Sequence, residues 1–218
     1  MDVQQIDEGL WRWTTRYGEW GDDVGAVYYE APDAIVLIDP LIPEDEPEAA
    51  RFLCALDRDV ERANLPVHVL ITVFWHVRST EALLDRYGAN LHAPRRARAP
   101  IERRAHGVAE LFGPGAVLPG GVVALPTGRS TEVMFWLPRQ NALVTGDVLL
   151  GDDDGGGVRF CPASWLPASV QHGDLQAAMQ PLLDLPVERV LVSHGKPVLD
   201  NGHAALTRLL RFGSASRL

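Results

Sequence analysis

Cysteine is scarce in this chain of 218 residues, which contains only Cys54 and Cys161. The two lie far apart in sequence and neither belongs to a Cys-x-x-Cys pair, so we expect neither a disulfide framework nor a thiolate zinc site. No apolar stretch is long enough to span a membrane without charges or proline. The first residues have no basic segment followed by an apolar run, so we predict no signal peptide and a cytoplasmic protein.

Positive charge is also in the minority, because 20 Lys and Arg face 29 Asp and Glu, for a net charge of −9. This balance argues against non-specific binding of nucleic acid, which needs a basic face. One basic run, PRRARAPIERRAH, begins at Pro94. Such a run can bind an anion, but it more often forms a solvated surface. We therefore expect no nucleic-acid partner and no membrane partner, and the oligomeric state stays open.

The remaining pattern is that of one globular domain over residues 1–218, long enough to bury a full core. Short runs rich in β-branched and aromatic residues predict strands at 25–30, 34–39, 67–72, 122–126, 131–138, 142–147 and 189–194. Apolar residues at helical spacing, with capping signals, predict helices at 47–63, 79–86, 174–183 and 202–212. Strands and helices mixed in this order predict an α+β protein whose sheets are covered by helices.

Four motifs follow one another along the chain: AIVLIDP at 34–40, VLITVFWHVRST at 69–80, LVTGDVLLG at 143–151 and VLVSHGKP at 190–197. In this order and at this spacing they resemble the metallo-β-lactamase superfamily. The resemblance covers nearly the whole chain. It implies a four-layer αββα sandwich with the active site along one edge, between the two sheets, where the family holds one or two metal ions, usually zinc or iron.

The family's metal ligands can be carried over one position at a time. The histidines of its HxHxDH motif fall on Val73, Trp75 and Arg78, its aspartate falls on Val77, and the histidine of the following turn falls on Arg129. Valine and tryptophan cannot ligate a metal ion, and arginine is a cation without a free lone pair. The resemblance therefore predicts a largely replaced metal site without dinuclear hydrolase activity.

Two ligand positions of the family are retained, because its bridging aspartate matches Asp147 and its last histidine matches His194. The first functional hypothesis is a metal-free protein that binds a small, anionic ligand or a partner protein in a remodelled cleft. In this hypothesis Arg78 and Arg129 replace the metal charge and pair with Asp147. No cofactor is then expected.

Aromatic side chains are further candidates for the remodelled cleft. Trp75 and Trp165, together with Phe160, could form an aromatic pocket for a small ligand. The alternative for all three is packing in the core or in a segment across the cleft mouth.

His76 is the basis of the second hypothesis, although it lies one residue outside the register of the replaced ligands. With Asp147 and His194 it would complete a mononuclear site of two histidines and one carboxylate, holding zinc or iron at low occupancy. By resemblance, such a protein would hydrolyse an ester, thioester or lactone. A hydrogen-bonded structural histidine beside Trp75 is the favoured interpretation of His76.

A third hypothesis is metal-independent acid–base catalysis by Asp147 and His194. The sequence leaves open whether the protein is an enzyme.

Overall fold

The computed structural model describes residues 1–106, 108–152 and 156–213. One sheet runs in the order β1-β2-β3-β4-β5-β6-β7, in which the first four strands are antiparallel neighbours and β4 to β7 are parallel. Its strands are β1 (Asp2–Asp7), β2 (Leu10–Tyr17), β3 (Asp22–Glu30), β4 (Ile35–Ile38), β5 (Val67–Leu70), β6 (Asn90–Pro94) and β7 (Val108–Phe112).

A second sheet runs in the order β14-β11-β10-β9-β8, with β11 and β14 parallel and the other neighbours antiparallel. Its strands are β8 (Val117–Leu118), β9 (Val122–Pro126), β10 (Val133–Leu137), β11 (Ala142–Thr145) and β14 (Arg189–Val192). A separate antiparallel pair consists of β12 (Leu149–Gly151) and β13 (Val158–Phe160). The segment 151–157 therefore begins in a strand, and its residues 153–155 lie outside the described residues.

The α-helices are α1 (Glu46–Ala63), α2 (Thr80–Tyr87), α3 (Arg98–Glu102), α4 (His172–Met179) and α5 (Gly202–Phe212). The α1 helix starts where the Asp45 side chain accepts a hydrogen bond from the Glu48 amide, and it ends at Asn64 in the left-handed conformation. Among the described residues, no helix is both long and apolar enough to cross a membrane.

Three apolar clusters define four layers, which confirms the predicted αββα sandwich. The central cluster lies between the two sheets and includes Val36 and Phe135. A second packs α1, α2 and α3 against the first sheet around Leu83. A third packs α4 and α5 against the second sheet around Leu206. Each sheet is thus buried on both faces, as its continuous apolar runs predict.

Of two predicted helix boundaries, the start of α2 was right and the end of α4 was wrong. Ser79 directly precedes α2, but its side chain makes no capping hydrogen bond, and its hydroxyl instead accepts from the Ile42 amide at 2.9 Å. The α4 helix ends at Met179 rather than near 183, and a 3₁₀ turn containing Pro181 follows it. Proline has no amide hydrogen to donate to the preceding turn, so the α-helical pattern stops there.

Candidate metal centre

Polar side chains converge where four strands end. Asp39 follows β4, His76 lies in the turn after β5, Asp147 follows β11, and His194 follows β14. The β4 and β5 strands are parallel neighbours, and so are β11 and β14. Their carboxyl ends therefore meet at one edge of the sandwich, which is where ligands bind in parallel sheets.

His76, Asp147 and His194 are all buried, and one ligand atom of each lies within 4.8 Å of the others. His76 Nε2 is 3.0 Å from Asp147 Oδ1, and His194 Nε2 is 3.4 Å from the same oxygen. The structure thus brings together the three residues of the mononuclear hypothesis. His76 is hydrogen-bonded through Nδ1, as the favoured interpretation holds, and its Nε2 also lies in the cleft.

The backbone after β5 explains how an out-of-register histidine reaches the cleft. An extended strand would place Val73 and Trp75 on one face, as the family motif requires. Residues Phe74–Val77 instead form a 3₁₀ turn, and the His76 amide donates to the Val73 carbonyl at 2.9 Å. A 3₁₀ turn has three residues, so His76 shares a face with Val73.

Apart from one another, the three converging atoms have no hydrogen-bond partner among the residues that the structure describes. They are His76 Nε2, Asp147 Oδ1 and His194 Nε2, and each is fully shielded from solvent. Unpaired buried polar atoms are costly, and several pointing at one another form a site for a cation. Two imidazole nitrogens and one carboxylate oxygen suit zinc or iron.

The Nδ1 atom of each histidine in the cluster contacts a carboxylate. Asp39 Oδ2 accepts from His76 Nδ1 at 2.8 Å, while Asp39 Oδ1 accepts from the Thr72 amide at 2.8 Å. His194 Nδ1 is 3.0 Å from Asp22 Oδ2. A carboxylate on Nδ1 directs the lone pair of a neutral imidazole to Nε2, the arrangement typical of metal-binding histidines.

Asp147 is oriented by two neighbours. Trp75 Nε1 donates to Asp147 Oδ2 at 2.5 Å, which leaves Oδ1 facing the histidines. Glu132 Oε1 accepts from the amides of Asp147 and Val148 at 2.7 and 2.9 Å. Burial, and next the Asp147 charge, raise the pKa of Glu132 to about 7. The sequence carried no recognisable signal for Glu132, which lies in the segment between β9 and β10.

Charges within the cluster are mutually stabilising. Burial alone raises the pKa of the Asp147 carboxyl, but the imidazoles of His76 and His194 hold that pKa well below its ordinary value. Burial and the Arg78 charge lower the pKa of His76, but the carboxylates of Asp147 and Asp39 outweigh them and raise it. The cluster therefore favours an anionic Asp147 that attracts positive charge.

The predicted pairing of Asp147 with arginine was wrong, because neither arginine forms an ion pair with it among the described side chains. Arg78 donates to the Asp39 carbonyl at 3.2 Å and to Ser193 Oγ at 3.0 Å. Arg78 thus donates through its Nη atoms to a carbonyl and a hydroxyl group at the strand ends, and not to Asp147.

Arg129 also has other partners. Its Nη2 donates to the Trp165 carbonyl at 2.6 Å, and its Nη1 lies 3.4 Å from Glu132 Oε2. Its guanidinium stacks on Trp75, 4.6 Å from the ring centroid. Trp75, and not Arg129, therefore contacts the Asp147 carboxylate.

Aromatic rings surround the exposed side of the cluster. Trp20 stacks on His194 with ring centroids 5.8 Å apart, and Trp165 meets the same imidazole edge-on at 5.9 Å. Both tryptophans are substantially exposed, at 41% and 43%. Phe160 instead belongs to the core beneath α4 and α5, so the packing interpretation is correct for it.

Trp20 and Asp22 were not found by sequence reasoning. Both lie near the turn between β2 and β3, far along the chain from the ligands they contact. No motif marks them, and only the closing of the two sheets places this turn beside His194.

Comparisons with known proteins bear on the fold. No family model matches the chain. A curated relative, the beta-lactamase-like protein 2 homolog of Caenorhabditis elegans, is 24% identical over 170 residues, covering 73% of this chain and 52% of the relative. The chain thus spans about half the length of that curated relative.

Solved structures match over almost the whole chain. The DIM-1 metallo-β-lactamase has a TM-score of 0.73 at 12% identity, covering 99% of this chain and 97% of that one. A metallo-β-lactamase from Pontibacter korlensis has a TM-score of 0.71 at 17% identity, covering 99% of both. One from Hirschia baltica has a TM-score of 0.68 at 16% identity, covering 97% of both. At these identities, the likeness concerns the fold.

Proposed function

Because this chain has the metallo-β-lactamase fold, we propose that its cleft holds one metal ion on His76, Asp147 and His194 and that the protein is a mononuclear metal-dependent hydrolase. The observation that carries the proposal is the convergence of three buried, unpaired ligand atoms. The substrate class implied by the resemblance is an ester, thioester or lactone. The metal-free hypothesis becomes the second candidate.

The donor set fits a catalytic centre better than a structural one. Three protein ligands leave coordination positions open, as catalytic zinc sites require, whereas structural sites have four. A divalent ion bound there would polarise a substrate carbonyl and lower the pKa of a water. The chain's own contribution is to orient Nε2 of both histidines and Oδ1 of Asp147 toward one another, through Asp39, Asp22 and Trp75.

A second metal ion is opposed by the side chains around the first site. Val73 and Trp75 occupy former ligand positions and offer no lone pair. Arg129 stacks on Trp75, one residue removed from the Asp147 carboxylate, and its charge repels a further cation. The site is therefore proposed to be mononuclear.

Trp20 and Trp165 supply the walls that a substrate would meet. Their rings contact His194 and remain substantially exposed. Aromatic surfaces beside a few convergent polar groups are typical of small-molecule sites. We expect the acyl or leaving group of the substrate to contain an apolar or ring portion that packs on these indoles.

One observation favours the second candidate, a metal-free protein that binds a small ligand. His76 lies between Asp39 and Asp147, and its pKa is raised. A protonated His76 can therefore link the two carboxylates without any ion. The two candidates differ in whether the purified protein contains a bound metal ion.

Metal content decides between them. Protein expressed with zinc, iron and manganese supplied is expected to contain about one ion per chain by elemental mass spectrometry, since one three-ligand site is present. His76→Ala and His194→Ala should each reduce the content at least tenfold. His203→Ala is the control, because the His203 side chain contacts the Leu183 carbonyl and does not belong to the cluster. Folding of each variant is checked by circular dichroism.

Metal-free wild-type protein, or equal metal content in folded His194→Ala, would support the second candidate. If metal is present, loaded and chelated protein are compared on nitrophenyl esters, a thioester and a lactone. Bound metal without turnover of any of them would leave the centre in place but contradict the hydrolase assignment.

Asp39→Asn is expected to weaken metal affinity by about 10- to 100-fold, the usual loss on removing the partner of a metal-binding histidine. The amide nitrogen of asparagine can donate to His76 Nδ1, which moves the imidazole proton to Nε2 and blocks that ligand. Asp22→Asn is the matched control, because Asp22 is 61% exposed and water can replace it on His194. Equal affinities of the two variants in competition with a fluorescent chelator would contradict the prediction.

A further inference from the structure

A second concavity lies beside the proposed metal centre and shares Arg129 and Glu132 with the wall behind Asp147. It has a volume of about 340 Å³ and opens between the segment after β6 and the turn between β9 and β10. Arg95 and Arg96 also line it. Three arginines thus line one small pocket in a protein whose net charge is −9.

Arg129 is the buried member of this group, with 8% of its surface exposed. Its Nη groups have protein partners, but its Nε is shielded from solvent and has no acceptor. The turn that carries it is rigid, because Thr127 Oγ1 accepts from the Arg129 amide at 3.1 Å. A buried donor without an acceptor is costly, and an anionic ligand in the pocket would relieve that cost.

Arg95 and Arg96 are the exposed members. Arg95 uses one nitrogen to donate to the Leu111 carbonyl at 3.1 Å. Arg96 forms no hydrogen bond or ion pair with any described residue. The guanidinium of Arg96 and most donors of Arg95 therefore remain available to a ligand.

The negative group in the lining is already neutralised. Glu132 accepts two backbone amides through Oε1, and its Oε2 lies 3.4 Å from Arg129 Nη1. Phe112 and Val133 add apolar surface to the same pocket. The pocket lining therefore combines the planar guanidinium groups of arginine with an apolar surface.

We propose that this pocket binds a small organic anion, with its carboxylate or phosphate on Arg95, Arg96 and Arg129 and a short apolar portion on Phe112 and Val133. Guanidinium forks pair with both kinds of oxyanion through two parallel hydrogen bonds. The site is distinct from the metal centre and does not depend on the hydrolase assignment. In this proposal, the basic run that begins at Pro94 binds a ligand and does not only form a solvated surface.

Two probes, inorganic phosphate and propionate, test the pocket by titration of ¹⁵N-labelled protein in two-dimensional NMR. We expect saturable shifts in the segments around Arg96 and Gly128, in both metal-loaded and chelated protein. Arg95→Gln and Arg96→Gln should each weaken binding about 5- to 20-fold, the typical effect of one charge-assisted contact. Arg103→Gln is the matched control, because Arg103 is exposed in the same basic segment but does not line the pocket.

Tighter binding of phosphate than of propionate would assign the site to phosphate esters, and the reverse order would assign it to carboxylates. Absence of saturable shifts with both probes would overturn the proposal. So would an equal loss in Arg103→Gln, which would indicate only general electrostatic attraction, or loss of the shifts on chelation, which would place the anion on the metal. None of these outcomes alters the metal content, so the proposed function is tested separately.

Discussion

Replacing Gly151 with alanine is expected to destabilise the fold by about 2–4 kcal/mol and to weaken metal binding with it. A Cβ atom at this position would lie 1.9 Å from the Lys196 carbonyl oxygen. The Gly151 amide also donates to the His194 carbonyl at 2.9 Å. The obstacle is backbone, so no side chain can rotate away, and the loop that carries His194 has to move.

The contact is also close on its other side, at Gly195 in the loop after β14. Gly195 has φ +82°, and a Cβ there would lie 2.4 Å from the Gly151 carbonyl oxygen. Two glycines thus allow the end of β12 and the loop after β14 to touch backbone to backbone. Neither backbone segment can move aside without meeting the other. We therefore expect the whole loop to shift.

Urea unfolding followed by circular dichroism measures the stability, and elemental mass spectrometry measures the metal. Gly173→Ala is the control, since Gly173 lies in α4 with open space around its position and alanine favours helix. That variant should be as stable as the wild type or more stable. A Gly151→Ala protein with wild-type midpoint and metal content would show that the two loops are not in contact.

Glu132→Ala is expected to cost about 3–5 kcal/mol in free energy of unfolding, chiefly because it leaves two buried backbone amides without an acceptor, at about 1–3 kcal/mol each, and also because it removes one member of a buried charged pair. The pair is Glu132 with Arg129, and both side chains are buried. The two amides are those of Asp147 and Val148. The backbone that positions Asp147 then loses its support.

Glu132→Gln separates these contributions. Glutamine retains a carbonyl oxygen for the two amides, and the raised pKa of Glu132 indicates that the pocket tolerates a neutral group. We expect a cost below about 1.5 kcal/mol, the size of one ordinary hydrogen bond. Urea unfolding of chelated protein at neutral pH compares the two variants. Equal losses in both would mean that the charge, and not the hydrogen bonds, holds this loop.

Local patterns were sufficient for most of the secondary structure. The α1 helix follows from one apolar face and a capping aspartate, and α5 was predicted at its observed bounds, Gly202–Phe212. The short β12 and β13 strands were missed, because three-residue strands carry no periodicity. The end of α4 was predicted too far along the chain. The apolar residues after Met179 continue the helical pattern, and the prediction gave them more weight than Pro181.

Candidate residues in the site were partly predictable. Asp147 and His194 follow apolar strands, and motif order indicates that they lie at one edge. The role of His76 depends on whether residues 74–77 extend or form a 3₁₀ turn, and those letters permit both. The register of the family motif therefore did not place His76 beside Asp147 and His194. The predicted pairing of arginine with Asp147 was wrong for a similar reason. The partners of Arg78 are a carbonyl and a hydroxyl group far from it along the chain, and nearby residues do not indicate such contacts.

By itself the sequence determined the layered α+β architecture and the strand-end positions of Asp147 and His194. These are properties of apolar periodicity and residue chemistry, which act over short stretches of chain. Only the tertiary structure decided which atoms converge on Asp147 and that Trp20, Asp22 and Glu132 surround or support the ligands. Such contacts join residues as much as 172 positions apart, and they arise when the two sheets close on a shared core.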